Sequence, residues 1–333
     1  IEYFVDSDKE DSFLRVSSPE DIRFMDPCCG SGHVLVYAFD LLYRMYEEEG
    51  YTIADIPALI LTNNLYGIDI DDRAASLAAF ALCMKAVEVD GSFLDREVMP
   101  KVITCTEVTA DLREAGIKMS LDLQSAFSFL KDAKTIGSLL PIETGDVDAL
   151  ESEIEELRKE LEDASQKGLF QAEAAGQILK GLTQIEYLLP RYHCVVTNPP
   201  YTGGKGMDQR LKDFVKQHYP DVKSDLFSAF VVRNTRLALP KGQLGFMTPF
   251  VWMFISSYEK LREYLIDNKT ISSLVQLEYS GFEGATVPIC TFTLINEHHP
   301  DYKGGYIRLS DFRGSVNQGP KCLEIIRDYN EYL

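Results

Sequence analysis

The stretch that decides the fold of this chain reads Asp26-Pro27-Cys28-Cys29-Gly30-Ser31-Gly32. It follows a predicted strand that ends with residues 23–25 and precedes a helix predicted over 34–45. Glycines at such a turn let the backbone approach a ligand, and the following helix presents unpaired N–H groups. The turn lacks the glycine patterns of dinucleotide sites and of phosphate loops. The stretch is therefore either a site for a ligand without a pyrophosphate or a triphosphate, or a tight structural turn.

Short apolar strands alternate with amphipathic helices along the rest of the chain. A strand is predicted over 64–70, and a helix that opens on acidic residues over 71–87. After a polar loop that follows a strand at 194–197, the rhythm continues with helices at 225–239 and 257–266 and strands at 244–247, 271–278 and 287–295. We expect the last two strands to form a hairpin. The alternation predicts an α/β fold with a mostly parallel twisted sheet and helices on both faces.

Residues 109–190 interrupt this rhythm, because glutamate and leucine dominate there. Apolar residues recur at helical spacing at Leu150, Ile154, Leu157 and Leu161. The stripe predicts an intramolecular helix seam, with a partner-binding coiled coil as the alternative. We interpret the segment as a helical insertion within one domain that spans residues 1–333.

A second motif lies at the carboxyl end of the strand predicted over 64–70, where open α/β sheets place their ligands. It reads Tyr66-Gly67-Ile68-Asp69-Ile70-Asp71. Asp69 could accept hydrogen bonds from both ribose hydroxyls, and no phosphate site precedes it. The pair of motifs therefore fits a nucleoside ligand such as S-adenosylmethionine. A helix N-cap is the alternative for either aspartate, and we favour it for Asp71.

A third motif follows the strand at 194–197 and reads Thr197-Asn198-Pro199-Pro200-Tyr201. Two prolines fix the backbone and remove two donors, which leaves carbonyl groups free to accept. The Asn198 side-chain oxygen and the Pro199 carbonyl could together hold both protons of an –NH₂ group, so that its lone pair points at an incoming methyl group. Tyr201 could stack on the ring that carries the amine. A loose Pro-Pro turn is the alternative.

The composition restricts where a partner can bind. The chain has 333 residues, 45% of them hydrophobic, and a net charge of −19. Such an acidic protein does not wrap nucleic acid over its whole surface, so contacts with double-stranded DNA should be local or come mainly from regions absent from this chain. Five cations follow the third motif and are either phosphate contacts or a solvated helix face: Lys205, Arg210, Lys212, Lys216 and Lys223.

Two further expectations concern the cell compartment and metals. We find no leader peptide and no apolar run long enough to cross a bilayer, which predicts a cytoplasmic fragment of a longer protein that does not meet a membrane. The seven cysteines lack zinc-site spacing, so we expect reduced thiols and no metal.

The three motifs, in this order, resemble the amino-methyltransferases of DNA in which the cofactor motif precedes the catalytic one. The segments 192–201, 223–227 and 248–254 resemble more narrowly the PglX family, the adenine-specific methyltransferases of the BREX phage-defence system. The resemblance covers nearly the whole chain. It implies a Rossmann-like methyltransferase fold and transfer of a methyl group from S-adenosylmethionine to adenine N6. The base would be flipped out of double-stranded DNA.

The resemblance also assigns the site residues. The cofactor-binding set is Asp26, Pro27, Cys28, Gly30, Ser31, Gly32, Asp69, Ile70 and Asn198. Within this set, Asp26, Gly30 and Gly32 are assigned to the methionine end and Asp69 to the ribose. The catalytic set is Asn198, Pro199, Pro200, Tyr201 and Phe282. Phe282 matches the family's second stacking aromatic, with a core aromatic as the alternative.

The match to the family is incomplete in three places. The acidic residue that contacts the cofactor adenine has no clear match, and Glu107 and Asp132 are the two candidates. The family's upstream cofactor segment and its target-recognition region are not recognised either, so the DNA target sequence cannot be predicted.

Other defence proteins or a phage inhibitor are further candidate partners. A methyltransferase of a protein glutamine amide and a catalytically silent cofactor-binding scaffold are the alternative functions.

Overall fold

The computed structural model describes residues 14–110, 117–142, 144–165, 169–278 and 287–331. The chain forms two compact units, one of Pro19–Arg191 and one of Tyr192–Leu333 together with Ile1–Ser18. Within the described ranges, every helix is too short or too polar to cross a membrane. Each unit carries a different part of the candidate site.

The Pro19–Arg191 unit contains three parallel strands and seven α-helices among its described residues. In chain order these elements are β1 (Phe24–Asp26), α1 (His33–Glu48), α2 (Ile56–Leu59), β2 (Leu65–Asp69), α3 (Asp72–Val89), β3 (Lys101–Thr104), α4 (Leu121–Phe129), α5 (Ala133–Ile136), α6 (Val147–Ser165) and α7 (Leu169–Tyr187).

Strand β2 lies between β1 and β3 and pairs in parallel with both. Its residues from Leu65 to Ile68 are buried, as expected of a parallel strand covered on both faces. Gly67 permits close packing of α1 on this strand, because a Cβ atom there would lie 2.8 Å from Cδ1 of Leu35. The predicted β1, α1, β2 and α3 are confirmed within a few residues at their ends. The short β3 escaped prediction.

Helices α4 to α7 occupy the segment predicted to be helical. The four residues of the predicted seam on α6 are each at most 5% exposed, and α6 packs against α7. The seam is therefore intramolecular, as predicted. Arg191 after α7 is buried and donates to Glu151 and Glu186 at 2.8 and 3.2 Å. The interpretation of 109–190 as an insertion stays a prediction.

Gln184 on α7 is bonded to the backbone that follows β3. Its Oε1 accepts from the Thr106 N–H at 2.7 Å, and its Nε2 donates to the Thr106 carbonyl at 2.9 Å. The side chain is 2% exposed. A single carboxamide therefore satisfies both backbone groups of Thr106.

The Tyr192–Leu333 unit contains five strands and four α-helices among its described residues. They are β4 (Tyr192–Thr197), α8 (Gln209–His218), α9 (Leu226–Leu237), β5 (Ala238–Pro249), α10 (Glu259–Asn268), β6 (Thr270–Gln276), β7 (Ile289–Ile295), β8 (Gly305–Arg308) and α11 (Ser315–Glu331).

The strands of this unit follow the order β4-β5-β7-β6-β8. The β4–β5 and β6–β8 pairs are parallel, whereas β5–β7 and β6–β7 are antiparallel. The predicted antiparallel pairing of β6 with β7 is confirmed, and its connection, 279–286, lies outside the described residues. Within the units, the described strand pairs are four parallel and two antiparallel, which confirms the predicted mostly parallel α/β fold.

The prediction of a polar loop between 197 and 225 was wrong, because α8 lies within it. Leu211, Phe214 and Val215 are buried at helical spacing, and the Asp208 carboxylate caps the helix by accepting from the Leu211 N–H at 2.9 Å. Both signals stand in the sequence. Lys and Arg on the other positions lowered the mean hydropathy and concealed them. Strand β8 and helix α11 were also missed.

Candidate active site

The glycine turn between β1 and α1 has the backbone geometry that the sequence predicts. Gly30 and Gly32 have φ of 51° and 87°, in the left-handed region that favours glycine. A Cβ atom on Gly32 would lie 2.9 Å from Cα of Ala78 on α3, whereas one on Gly30 would meet no heavy atom within 4 Å. Gly32 is therefore required for packing, and Gly30 faces open space.

Aspartate side chains hold this turn together. Asp26 is 1% exposed, and its Oδ1 accepts from the Cys28 N–H at 3.1 Å. Asp69, at the end of β2, accepts from the Gly30 N–H through Oδ2 at 2.8 Å and from the Asp71 N–H through Oδ1 at 2.9 Å. The structure thus brings the first and second motifs together through one carboxylate.

The residues of these two loops fit a nucleoside with a charged tail. Each Asp69 oxygen accepts one backbone N–H and keeps a further lone pair for a ribose hydroxyl. The open space at Gly30 lets a ligand approach the backbone, and Ile70 is 50% exposed beside Asp69, where an apolar surface could contact a base. Asp71 is the N-cap of α3, as favoured, and accepts from the Arg73 N–H at 2.8 Å.

The remaining residues of the first motif differ in exposure. Pro27 is buried, and Cys28 and Ser31 are half-buried. Burial, followed by the nearby Asp26 carboxylate, raises the pKa of the Cys28 thiol well above its ordinary value. The Cys28 thiol is therefore neutral at neutral pH.

Two residues that contact the motif loops, one on each loop, were not predicted from the sequence. The Ser138 hydroxyl donates to the Pro27 carbonyl at 2.5 Å, and the Lys134 ammonium donates to the Ile70 carbonyl at 2.9 Å. Both come from the helical segment after β3, more than 60 positions away from their partners. Nothing in the local sequence indicates such a contact.

Of the two candidates for the cofactor adenine, Glu107 is exposed and Asp132 is half-buried. They lie on neighbouring stretches of chain, because the Val108 N–H donates to the Leu130 carbonyl at 3.2 Å. Both are candidates for the contact with the cofactor adenine.

The third motif leaves β4 at its carboxyl end. Thr197 and Pro199 are buried, whereas Asn198 and Pro200 are exposed. The Tyr201 hydroxyl lies within hydrogen-bonding distance of Asn198 Oδ1 and 3.1 Å from the Met247 carbonyl on β5. Burial raises the pKa of Tyr201 above its ordinary value, so the phenol stays protonated and can donate. This contact fixes the direction of the Asn198 side chain.

The backbone after this motif is tied to the start of α9. The Gly204 N–H donates to the Ser224 carbonyl at 3.2 Å, and the Leu226 N–H donates to the Thr202 carbonyl at 3.0 Å. Asp225 forms an antiparallel bridge with Gly203, and burial raises the pKa of its carboxyl group. Residues 223–227, matched to the PglX family, therefore support the third motif.

The structure also locates the other predicted residues of this unit. Lys205, Arg210, Lys216 and Lys223 are exposed, and Lys212 is half-buried on α8. Phe282 lies outside the described residues, so its stacking role stays a prediction. All seven cysteines are free thiols. In the described part of the chain, no group of three or more His, Cys, Asp and Glu side chains could hold a metal ion.

The fold and the motif loops define a Rossmann-like α/β protein. Solved structures share the fold: the Type ISP restriction-modification enzyme LlaGI with a DNA substrate mimic has a TM-score of 0.56 at 16% identity, covering 92% of this chain and 23% of that chain. The DrdV–DNA complex gives 0.52 at 13% identity, covering 92% and 26%.

The chain belongs to the Eco57I restriction-modification methylase family, whose model matches residues 63–282. It is 36% identical over 324 residues to the adenine-specific methyltransferase BrxX of Escherichia coli O9:H4 (strain HS). The aligned region covers 88% of this chain and 27% of that protein. It is 30% identical over 349 residues to the adenine-specific methyltransferase PglX of Lacticaseibacillus casei (strain Zhang). That alignment covers 99% of this chain and 28% of PglX. The predicted resemblance to the PglX family is confirmed. The chain spans about a quarter of the length of these relatives.

Proposed function

We propose that this chain catalyses transfer of a methyl group from S-adenosylmethionine to the N6 amine of a flipped adenine in DNA, in a phage-defence or restriction-modification context. The observation that carries the proposal is the exposure and orientation of the Asn198 side chain. Its carboxamide is exposed at the end of β4, next to Pro199, and its direction is set by the Tyr201 hydroxyl. The relatives BrxX and PglX, both named adenine-specific methyltransferases, support the choice of adenine.

The donor half of the reaction belongs to the Pro19–Arg191 unit. The turn from Asp26 to Gly32 would bind the methionine end, and Asp69 would accept from the ribose hydroxyls. When bound, S-adenosylmethionine supplies a sulfonium with a reactive methyl group. The protein therefore has to align the reactants and needs neither a covalent nucleophile nor a metal for this chemistry.

The acceptor half belongs to the Tyr192–Leu333 unit. Asn198 Oδ1 has two lone pairs, one facing the Tyr201 hydroxyl and one left to accept from the adenine amine. The Pro199 carbonyl would accept the second N–H. Holding both protons concentrates the nitrogen lone pair toward the donor and stabilises the positive charge that develops on the amine. Tyr201 would stack on the flipped base.

Exposed cations on and around α8 would contact the DNA backbone. The apolar face of this helix is buried, so Arg210 and Lys216 are directed to the surface. The chain as a whole is acidic, with a net charge of −19. A local positive stretch directly after the third motif would therefore attract phosphates where the base has to enter.

The test incubates the full-length protein with methyl-labelled S-adenosylmethionine and unmethylated double-stranded DNA, and hydrolyses the DNA for mass spectrometry. N6-methyladenine is the expected product. Label on a glutamine of an added protein fraction would instead support the glutamine alternative. Cofactor binding without transfer to either acceptor would support a silent scaffold.

A further inference from the structure

We propose that the short segment from α5 to Leu139 is a built-in part of the cofactor site, in which Lys134 and Ser138 are positioning residues that fix the two cofactor loops relative to each other. The inference rests on the proposed function, because it takes the loops of the first and second motifs as the cofactor loops. It assigns a role to a part of the helical segment that neither motif reveals.

Ser138 holds the first loop. It is 3% exposed, its hydroxyl donates to the Pro27 carbonyl at 2.5 Å, and its Oγ lies 3.9 Å from Cys28 Sγ. Pro27 and Cys28 lie between Asp26 and Gly30, the residues assigned to the methionine end. A hydrogen bond to the Pro27 carbonyl therefore fixes the Pro27–Cys28 peptide, whose N–H donates to Asp26, and with it the course of the turn.

Lys134 holds the second loop. Its ammonium donates to the Ile70 carbonyl at 2.9 Å and to Asp72 Oδ1 at 2.7 Å. Ile70 lies within the Asp69-to-Asp71 turn, so the bond to its carbonyl holds the turn that presents the Asp69 carboxylate, and Asp72 directly follows this turn. The hydrogen bond from Lys134 also lowers the pKa of Asp72, which keeps that carboxylate ionised.

Gly137 places the segment directly against Ile70. It has a φ of 62°, and a Cβ atom there would lie 2.9 Å from Cγ2 of Ile70. The side chain proposed to contact the cofactor base therefore rests on the backbone of this segment. Lys134, Gly137 and Ser138 lie within five consecutive positions and contact both loops. Loops that come from separate strands are braced by the same short piece of chain.

The roles of Ser138 and Lys134 can be tested separately, because S-adenosylmethionine has a methionine end and adenosine does not. Ser138→Ala releases only the turn assigned to the methionine end, so it should weaken S-adenosylmethionine about five- to tenfold, the effect of one hydrogen bond, and adenosine by less than twofold. Lys134→Met releases the turn assigned to the ribose, so it should weaken S-adenosylmethionine and adenosine alike, by about five- to tenfold. A merely structural role would not produce this split.

The experiment measures both affinities by calorimetry on the full-length protein, with urea unfolding recorded for every variant. Ser128→Ala is the matched control for the serine, because its hydroxyl also donates to a backbone carbonyl, that of Ser125 at 2.6 Å, within the same helical segment. Lys131→Met controls for the lysine, since Lys131 is an exposed cation three positions away. Both controls should bind both ligands as the wild type does.

Asp72→Asn separates the two bonds of Lys134. It removes the ion pair and leaves the bond to the Ile70 carbonyl, so adenosine affinity should stay within twofold of wild type. If Asp72→Asn reproduces the loss of Lys134→Met, the loop-positioning role is overturned. Should Ser138→Ala fail to fold, Ser138→Cys keeps a weak donor of similar size and should show a smaller loss of the same kind.

The outcomes distinguish this inference from the proposed function. A wild-type protein that binds no S-adenosylmethionine contradicts the proposed function. A wild-type protein that binds it, together with Ser138→Ala and Lys134→Met variants that bind both ligands as their controls do, overturns the inference alone.

Discussion

The candidate donor loops and the candidate acceptor loop differ in which atoms would do the binding. In the Pro19–Arg191 unit, Asp26, Asp69 and Ser138 hold the backbone of the motif loops in place, and the Asp69 oxygens keep lone pairs for a ligand. In the Tyr192–Leu333 unit, the backbone is fixed by prolines and one exposed carboxamide, Asn198, is presented. Cofactor affinity should therefore be spread over many contacts, whereas the chemistry should depend on a single side chain.

The largest effect is expected from Asn198→Ala. Losing the acceptor that holds the reacting amine should lower the single-turnover rate of methyl transfer by at least about a hundredfold, the scale of one lost transition-state hydrogen bond. Because Asn198 acts mainly on the amine, S-adenosylmethionine affinity should stay within a few-fold. A variant that transfers at a near wild-type rate would remove the third motif from the catalytic site.

Asp69→Ala tests the donor side. The side chain would bind the ribose and also joins Gly30 to Asp71, so calorimetry should show S-adenosylmethionine binding weakened by roughly 1 to 3 kcal/mol. Asp71→Ala is the matched control, since it removes the cap of α3 and should cost about 1 kcal/mol of folding free energy without changing cofactor affinity. Equal affinities in the wild type and Asp69→Ala would exclude Asp69 from the site.

Tyr201 separates stacking from the direction of Asn198. Tyr201→Ala should lose about 1 to 3 kcal/mol of base stacking in DNA binding and retain some transfer. Tyr201→Phe keeps the ring and loses the contacts of the hydroxyl with Asn198 Oδ1 and the Met247 carbonyl, so its single-turnover rate should fall mildly, by an activation free energy of about 1 kcal/mol or less. A Phe variant as slow as the Ala variant would show that the hydroxyl matters more than the ring.

The smallest effect concerns the cations on α8. Lys212→Gln and Lys216→Gln should each reduce the slope of log affinity for DNA against log salt concentration by roughly one, with little change in target sequence. Lys159→Gln, an exposed lysine paired with Glu155 on α6, serves as the control and should leave the slope unchanged. Unchanged slopes in all three variants would identify α8 as a solvated face.

Local sequence patterns predicted the elements that carry their own signals. The order β1, α1, β2 and α3, the seam on α6 and the strand before Asn198 were all readable, because apolar periodicity and glycine turns are properties of adjacent residues. Strand β3 was missed because it has only four residues, all half-buried. Helix α8 was missed because its cations obscured a short apolar stripe.

The candidate site divides in the same way. The two cofactor motifs were readable, because each follows a strand at the carboxyl edge where open α/β sheets place their ligands, but the hydrogen bond that Asp69 accepts from the Gly30 N–H was not predicted. The roles of Ser138 and Lys134 could not be predicted from local patterns. Their partners lie 111 and 64 positions away, and no motif marks a serine or lysine that donates to a carbonyl. Contacts of that kind depend on how helices pack, which periodicity does not determine.

The pairing of Gln184 with Thr106 also bears on association between copies of the chain. A strand that ends with open backbone groups can recruit a strand from another molecule, which is a common start of aggregation. Here the amide of one glutamine occupies the N–H and the carbonyl of Thr106, directly beyond β3. An incoming strand would have to displace two hydrogen bonds from a buried side chain, so Gln184 should keep this protein soluble at concentrations where Gln184→Ala begins to self-associate.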